Sequence, residues 1–286
     1  MDMDLQGIKR KGTNEVLKRK VDRGVEYLTF PALEKTGIVS HLFSTRIGGA
    51  SEGIYASMNL SYTRGDRKEA VDENFRRIAM VMGREISDFV LSDQTHTTNI
   101  RKVTEEDRGK GIVGKKDYCD VDGLITNERH IVLATFYADC VPLFLVDKKH
   151  RAIGLSHSGW KGTAGRMGAC TLRAMKEAYG TEPEDVEVGI GPSICRDCYE
   201  VGEDVADVFA AEFPGEIQKD ILIKKEGGKY QLDLWKANEY IFRTAGVPGE
   251  QVSVTDICTC CNPGYLFSHR ASQGKRGNLG AFLCLL

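Results

Sequence analysis

Cys140 and His157 are two residues in the middle of the chain whose types could support catalysis. Each ends an apolar run within "ATFYADCVPLFLVDKKHRAIGLSHSGW". A strand after Cys140, a polar turn at 147–151 and a returning strand before His157 would place the two side chains together. A thiolate beside an imidazole is reactive near neutral pH, so the pair suggests a cysteine nucleophile with a histidine base. The alternative is a thiol packed in the core, because unpaired cysteine is among the most buried residue types.

His96 adds a second imidazole to this pair, in the polar segment "DQTHTTNI". His96, Cys140 and His157 form the nitrogen and sulfur donor set that zinc accepts, and three protein ligands are typical of a catalytic zinc site. Such a metal would lower the pKa of a bound water and supply hydroxide near pH 7. The chain has no local CxxC or HExxH motif around these residues, so a structural histidine at a strand end stays the alternative.

A second set of possible metal ligands lies downstream, with Cys195 and Cys198 in "CRDC" and Cys258, Cys260 and Cys261 in "CTCC". Four such thiolates could bind a zinc ion. If "VSVTDICT" continues as a strand, two of the later cysteines share one face and the third begins a turn. Unpaired thiols are therefore the alternative for this set.

A possible anion site follows His157 in "SGWKGTAGR", where Gly159 precedes a predicted helix and Lys161 lies nearby. Exposed N–H groups at a helix start, next to a lysine, favour phosphate or carboxylate. Arg46 in "STRIGG" and Arg270 in "FSHR" each end an apolar run and could reach the same ligand. The glycine-rich loop after Arg46 does not have Walker or dinucleotide-binding spacing.

The composition is that of a globular protein, with 41% hydrophobic and 28% charged residues among 286. A net charge of −2 gives no general attraction for nucleic acid. No run approaches the roughly 20 apolar residues that span a bilayer, so no membrane partner is expected. The polar N-terminus and the odd count of 9 cysteines predict a cytoplasmic protein without disulfides.

Short strands and helices are predicted along the chain without a regular βα alternation. "VEYLTFPAL", "GIVSHLFST", "HIVLATFYADC" and "VPLFLVD" read as strands, and "RKEAVDENFRRIAMVMG" reads as a helix ended by Gly83. The continuous apolar runs suggest strands that are covered on both faces. This pattern predicts an α/β (α+β-like) fold, a single layered domain with a mixed β-sheet and flanking helices. We expect a polar N-terminal tail at 1–25 and one catalytic domain at 26–286.

Six segments in order resemble the YfiH-like laccase-domain family, also called the polyphenol oxidase family. They are "STRIGGASEGIYASMNL", "DQTHTTNI", "ADCVPLFLVD", "HSGWKGT", "GPSICRDCYEVGEDV" and "CTCCNPGYLFSHR". Each motif is short, but six in register from about Phe43 to the C-terminus make the resemblance specific. The family is regarded as purine nucleoside phosphorylases with adenosine deaminase activity. Similar folds in some bacterial deamidating toxins use a Cys/His pair, as cysteine hydrolases do.

The resemblance implies a zinc site, with copper as the alternative metal, built from His96 of "QTH", Cys140 of "ADC" and His157 of "HSGW". It implies substrate contacts from the loop that carries Arg46 and Asn59. It also implies a purine nucleoside and phosphate as small-molecule partners.

The chain departs from the family near its C-terminus and in its cysteine pattern. Where the family often ends "HRR…GxTGRM", this chain reads "SHRASQGKRGNLGAFL", so Arg270 is the remaining candidate there for a substrate contact. "CRDCYE" replaces the more usual adjacent cysteines before "YE".

The first hypothesis is a zinc-dependent purine nucleoside enzyme. It would catalyse phosphorolysis of adenosine, inosine or methylthioadenosine and deamination of adenosine. Asp139 is the candidate proton carrier, although strand alternation would point it away from Cys140 unless the strand ends or bulges there. Arg46, Lys161 and the helix start after Gly159 are the candidates for binding phosphate.

Three alternatives use the same residues differently. A cysteine hydrolase or amidase would use Cys140 as nucleophile and His157 as base, without a metal and without a role for His96. Copper-dependent phenol oxidation requires more ligands than one His/Cys/His set, and the chain has 6 histidines in all. A binding or scaffold protein of the same fold would show no turnover. The oligomeric state is not predicted.

Overall fold

The computed structural model describes residues 2–3, 7–12 and 15–286. The described strands are β1 (Asp2–Met3), β2 (Lys18–Asp22), β3 (Val25–Thr29), β4 (Val39–Ser44), β5 (Phe89–Leu91), β6 (Ile100–Lys102), β7 (Gly123–Thr126), β8 (Val132–Tyr137), β9 (Val141–Asp147), β10 (Ala152–Ser158), β11 (Val186–Ile190), β12 (Glu200–Val201), β13 (Leu222–Lys224), β14 (Tyr230–Leu232), β15 (Val252–Val254) and β16 (Leu279–Leu285). The described α-helices are α1 (Pro31–Glu34), α2 (Lys68–Met82), α3 (Trp160–Ala164), α4 (Met167–Tyr179), α5 (Glu203–Glu212), α6 (Gly215–Ile221) and α7 (Leu234–Thr244). None of the described helices combines the length and apolar character that crossing a membrane requires.

The strands form two large mixed sheets and one small sheet. The larger sheet has the order β1-β2-β3-β4-β16-β8-β5, and the second has the order β15-β11-β9-β10-β7-β6. Most neighbours are antiparallel, but β5 and β8, β6 and β7, and β11 and β15 are parallel pairs. The small sheet, β12-β14-β13, is antiparallel.

The two large sheets pack face to face, and helices cover their outer faces. Successive residues of β9 alternate between the faces: Phe144 and Val146 join the core between the sheets, whereas Leu143 and Leu145 pack with residues of α4 and α7. Helix α2 packs on the outer face of the seven-stranded sheet. The predicted layered α/β fold, with strands covered on both faces, is confirmed.

Helix α2 shows how the apolar pattern produces this packing. Val71, Phe75 and Ile78 recur at helical spacing and are fully buried against the sheet. The helix ends at Gly83, whose φ of 64° lies in the left-handed region that glycine adopts without steric cost. Both the helix and its end agree with the prediction.

Two expectations need correction, and one strand was missed. The predicted tail at 1–25 is not a tail from residue 18 onward, because β2 pairs with β3 along its whole length and Arg19 bonds Glu26 across the pair at 2.7 Å. The predicted late strand "VSVTDICT" ends at Val254, and a turn follows. Strand β16 was not predicted, yet it is buried and lies between β4 and β8.

Candidate metal centre

The β9–β10 hairpin brings Cys140 and His157 together. His157 lies opposite Pro142 in the strand register, two residues after Cys140. Cys140 itself belongs to the short connection 138–140, which crosses from β8 in one sheet to β9 in the other. The strand, turn and returning strand expected from the sequence are therefore present.

His96 reaches the same point from the loop between β5 and β6. Its φ of 68° lies in the left-handed region, which is uncommon for a residue other than glycine. Its ring centroid lies 5.0 Å from that of His157, with the planes at 80°. One donor atom from each of His96, Cys140 and His157 lies within 4.8 Å of the other two. The structure thus assembles the predicted donor set.

Asp122 organises this set and was not predicted from the sequence. The residue is fully buried directly before β7, and its carboxylate lies 2.7 Å from Nδ1 of His157. The same carboxylate accepts backbone N–H bonds from His96 at 3.1 Å, Thr95 at 3.0 Å and Thr97 at 2.9 Å. Burial raises the pKa of Asp122, but these bonds outweigh it and lower the pKa to about 2. One ionised carboxylate therefore orients His157 and fixes the loop that carries His96.

The charges of the cluster favour a thiolate. Burial raises the pKa of the Cys140 thiol, but the charge and hydrogen bonds of His157 and His96 outweigh it and lower the pKa below its usual value. Burial lowers the pKa of His157, but the Cys140 thiolate and Asp122 raise it overall. With Nδ1 of His157 held by Asp122, its Nε2 is the nitrogen left for a ligand. A thiolate with two imidazoles, one of them oriented by a carboxylate, fits the ligand chemistry of zinc.

Gly159 leaves room beside the cluster. A Cβ atom at this position would lie 3.0 Å from Sγ of Cys140 and 3.0 Å from Cδ2 of His96. Its φ of −75° is open to other residues, so this close approach is the reason for glycine here.

The cluster opens into a cavity of about 470 Å³. Tyr62 and Phe136 contribute aromatic surface to its wall, and Arg64 and Arg276 contribute positive charge. Arg276 is buried, its Nε atom has no hydrogen-bond partner, and burial together with the charge of Arg64 lowers its pKa to about 10. A buried, incompletely bonded guanidinium on a cavity wall favours an anionic ligand. The sequence signal was an arginine just before β16, in the segment that departs from the family ending.

The structure places Arg46 and Asn59 outside the wall of this cavity, and their substrate contacts stay a prediction. Arg46 donates from Nε to the Ala56 carbonyl at 2.7 Å and from Nη1 to the Pro263 carbonyl at 2.6 Å. Asn59 is fully buried, and its Oδ1 accepts from the backbone N–H of Asn278 at 2.9 Å. Both side chains support loops rather than face the cavity.

Lys161 and Arg270 are also placed outside the cavity. The exposed Lys161 lies 5.6 Å from the centre of the Trp160 ring, and α3 is a helix of only 5 residues. The exposed Arg270 donates to the carbonyls of Cys198 at 3.3 Å and Glu200 at 3.0 Å. The predicted phosphate site after Gly159 therefore does not coincide with the cationic part of the cavity.

Asp139 lies beyond the end of β8, with a φ of 92° that interrupts the strand alternation. Its carboxylate accepts a hydrogen bond from Thr259 Oγ1 at 2.6 Å and one from the backbone N–H of Arg270 at 2.7 Å. These bonds tie the connection before Cys140 to the 259–270 segment. The proton-carrier role of Asp139 stays a prediction.

Comparison with known proteins shows the same fold and a specific sequence family. A family model described as multi-copper polyphenol oxidoreductase laccase matches residues 40–286. The crystal structure of a Bacillus licheniformis protein termed YfiH superposes with a TM-score of 0.86 at 31% identity, covering 94% of this chain and 99% of that chain.

Two curated relatives carry names of enzymes. The Bacillus subtilis (strain 168) protein named purine nucleoside phosphorylase YlmD is 36% identical over 246 residues, covering 84% of this chain and 86% of the relative. A protein named adenosine deaminase RL5, from an unknown prokaryotic organism, is 33% identical over 232 residues, covering 80% of this chain and 87% of the relative.

Proposed function

Because the chain belongs to the multi-copper polyphenol oxidoreductase laccase family, the YfiH-like family, we propose that it is a metal-dependent purine nucleoside enzyme. It catalyses phosphorolysis of adenosine, inosine or methylthioadenosine and deamination of adenosine. The observation that carries the proposal is the His96, Cys140 and His157 cluster at the base of a cavity with an incompletely bonded arginine. The names of the two curated relatives, a purine nucleoside phosphorylase and an adenosine deaminase, support both reactions.

The metal of this proposal is zinc, held by His96, Cys140 and His157. Zinc with three protein ligands acts as a Lewis acid and lowers the pKa of a bound water. Within the described residues only one candidate metal group contains histidine, whereas multi-copper oxidation needs several sets of ligands. This supports nucleoside chemistry over phenol oxidation, despite the family description.

The cavity supplies the other requirements of a nucleoside and phosphate site. A volume of about 470 Å³ suits a small-molecule ligand. Phe136 and Tyr62 offer ring faces on which a purine stacks. Arg276 and Arg64 bind phosphate in this proposal and replace Arg46 and Lys161, which the sequence favoured. The two guanidiniums neutralise and position the anion that attacks the ribose carbon.

The direct test is incubation of the purified protein with adenosine, with and without phosphate, followed by chromatographic separation of the products. With phosphate we expect adenine, ribose 1-phosphate, inosine and the hypoxanthine that phosphorolysis of this inosine releases. Without phosphate we expect inosine alone, because phosphorolysis needs phosphate as its nucleophile. If adenosine, inosine and methylthioadenosine yield neither free base nor the corresponding sugar 1-phosphate, and adenosine yields no inosine, the proposal is wrong.

A cysteine hydrolase is the second candidate, because Cys140, His157 and Asp122 have the order of a nucleophile, a base and a residue that orients the base. The two candidates differ in their use of His96. Replacing His96 by alanine should remove the metal and the nucleoside activity if the first proposal holds. A metal-free hydrolase would keep amidase activity after the same change, reduced only by the loss of the help that His96 gives in lowering the pKa of Cys140, because His157 and Asp122 remain.

A further inference from the structure

Four cysteines outside the proposed active site form a compact sulfur cluster. One sulfur atom from each of Cys195, Cys198, Cys258 and Cys261 lies within 4.8 Å of the other three. The chain supplies them as two CxxC pairs, since Cys258 and Cys261 have the same spacing as Cys195 and Cys198. The intervening Cys260 lies outside the group.

Two turns of the backbone build this cluster. Cys195 begins a short 3₁₀ turn in the segment after β11, and Cys258 begins the turn that follows β15. An isolated β-bridge between Ser193 and Cys258 joins the two segments. The predicted strand would have placed Cys258 and Cys260 on one face and left Cys261 to begin a turn, whereas the observed turn brings the sulfurs of Cys258 and Cys261 together.

Backbone N–H groups already point at one of the sulfurs. The N–H of Cys195 lies 3.2 Å from Sγ of Cys258, and that of Cys261 lies 3.4 Å from the same sulfur. Hydrogen bonds of this kind favour the thiolate that a metal requires. Lys11, which bonds Asp197 at 3.0 Å, adds a positive charge that interacts with Cys195 and Cys261. The surroundings therefore suit a site with excess negative charge.

We propose that Cys195, Cys198, Cys258 and Cys261 bind a structural zinc ion. Four protein thiolates complete a tetrahedral coordination shell and leave no position for water, which distinguishes this site from the three-ligand centre. The four cysteines are unpaired, and Sγ of Cys198 lies 3.5 Å from Sγ of Cys261, compared with the ~2.05 Å of a sulfur–sulfur bond. A bridged iron–sulfur cluster would place further atoms between the thiolates and hold them farther apart.

This zinc would stabilise a segment that reaches the active site. Thr259 lies between two of the ligands, and its hydroxyl donates to Asp139 at 2.6 Å. Asp139 directly precedes Cys140. The structural zinc therefore helps to hold the connection 138–140, which carries Cys140, without contacting substrate. Its loss should lower the thermal stability of the protein more than it lowers the rate of the reaction.

The test is the metal content of purified variants, measured by inductively coupled plasma mass spectrometry. Wild-type protein should hold about two zinc ions per chain and Cys198→Ser about one. Cys260→Ser is the matched control, since it removes a neighbouring thiol outside the group, and should keep both. His96→Ala should retain one zinc, whose X-ray absorption spectrum shows four sulfur neighbours at about 2.3 Å.

Several results would overturn the proposal. These are a zinc content unchanged in Cys198→Ser, a mixed nitrogen and sulfur shell in the zinc of His96→Ala, iron in place of zinc, or a disulfide found by intact mass. If Cys198→Ser does not fold, the spectrum of the His96→Ala protein decides alone. None of these readouts depends on nucleoside turnover, so the proposed function can fail while this site stands.

Discussion

Asp122 shows how one buried carboxylate can prepare a metal site. It bonds the ring of His157 and the backbone of the loop that carries His96, so that two of the three proposed ligands depend on it. Nothing in the sequence separates Asp122 from the nearby Asp117 and Asp120 except its place directly before an apolar run. Its role appears only when three distant segments meet.

Replacing Asp122 by asparagine should weaken metal binding by about 10- to 100-fold, the usual cost of losing an outer-shell partner. The amide lacks the second acceptor oxygen and the charge that the N–H groups and imidazole require. Competition with a chelator of known affinity measures this change. Asp117→Asn is the control, since this exposed neighbour bonds Lys110 rather than the loop that carries His96, and equal losses in the two variants would contradict the role of Asp122.

Arg276 offers a way to separate the two reactions. Arg276→Ala should raise the KM for phosphate by about 10- to 100-fold, because a charge-assisted hydrogen bond to the anion is lost. Adenosine deamination needs no phosphate and should change much less. Steady-state kinetics of both reactions provide the measurement, with the exposed neighbour Lys275→Ala as control. An equal fall in both reactions would remove Arg276 from the phosphate site.

At the scale of elements, the β9–β10 hairpin was predictable because its apolar runs and polar turn encode it locally. The turn also made it predictable that the side chains of Cys140 and His157 lie close together. Strand β16 was missed, because its partners β4 and β8 lie far away in the sequence. Strand β2 was missed for another reason: its residues are mostly polar and show no apolar alternation, although its partner β3 follows directly. The contacts of Arg46 were not predictable from its position at the end of an apolar run, because its guanidinium donates to backbone carbonyls, one of them in the distant 259–270 segment.

The start of α3 gives a steric test of the metal centre. Gly159→Ala should reduce the zinc held by the three-ligand site, because the added Cβ would crowd Cys140 and His96. Gly215→Ala is the matched control, since Gly215 also lies at a helix start and a Cβ there would meet no atom within 4 Å. Metal analysis of both variants should show a loss in the first only. Full zinc occupancy in Gly159→Ala would contradict the steric reason given for glycine at this position.

Strand β4 carries a buried histidine with consequences for stability. His41 accepts a hydrogen bond from the backbone N–H of Phe30 at 2.8 Å. Burial lowers the pKa of His41 to about 4, with the charge of Glu34 opposing this change and that of Lys20 adding to it. The folded protein therefore holds His41 neutral, whereas the unfolded chain takes up a proton below pH 6.5.

The free energy of unfolding should therefore fall as the pH drops from about 6.5 to about 4, by at most about 3 kcal/mol from this residue. Urea unfolding at several pH values measures this slope. His41→Gln should flatten it, while His130→Asn on an exposed turn should leave it unchanged. If the free energy of unfolding of His41→Gln changed with pH as steeply as that of the wild type, His41 would not be the cause of the pH dependence.

At the scale of the whole molecule, the proposed active site lies at the point where the chain crosses from the seven-stranded sheet to the six-stranded sheet. Cys140 belongs to the connection from one sheet to the other, His157 ends the following hairpin, and His96 comes from the loop after β5. The layered fold and the three donors were predictable, since motif order and apolar pattern indicate them. The residues of the cavity wall were not predictable. Arg64 and Arg276 lie far apart in the sequence, and they come close together only when the two sheets are packed.

The central claim is that one metal, held by His96, Cys140 and His157, makes this chain a purine nucleoside enzyme. The most direct measurement compares adenosine turnover in phosphate buffer by wild-type protein and by His96→Ala. We predict adenine, ribose 1-phosphate, inosine and hypoxanthine from the wild type. The loss of turnover in the variant should exceed the roughly 100-fold expected for an outer-shell residue. The claim would be contradicted if His96→Ala turned over adenosine at the wild-type rate, or if neither protein turned over any nucleoside.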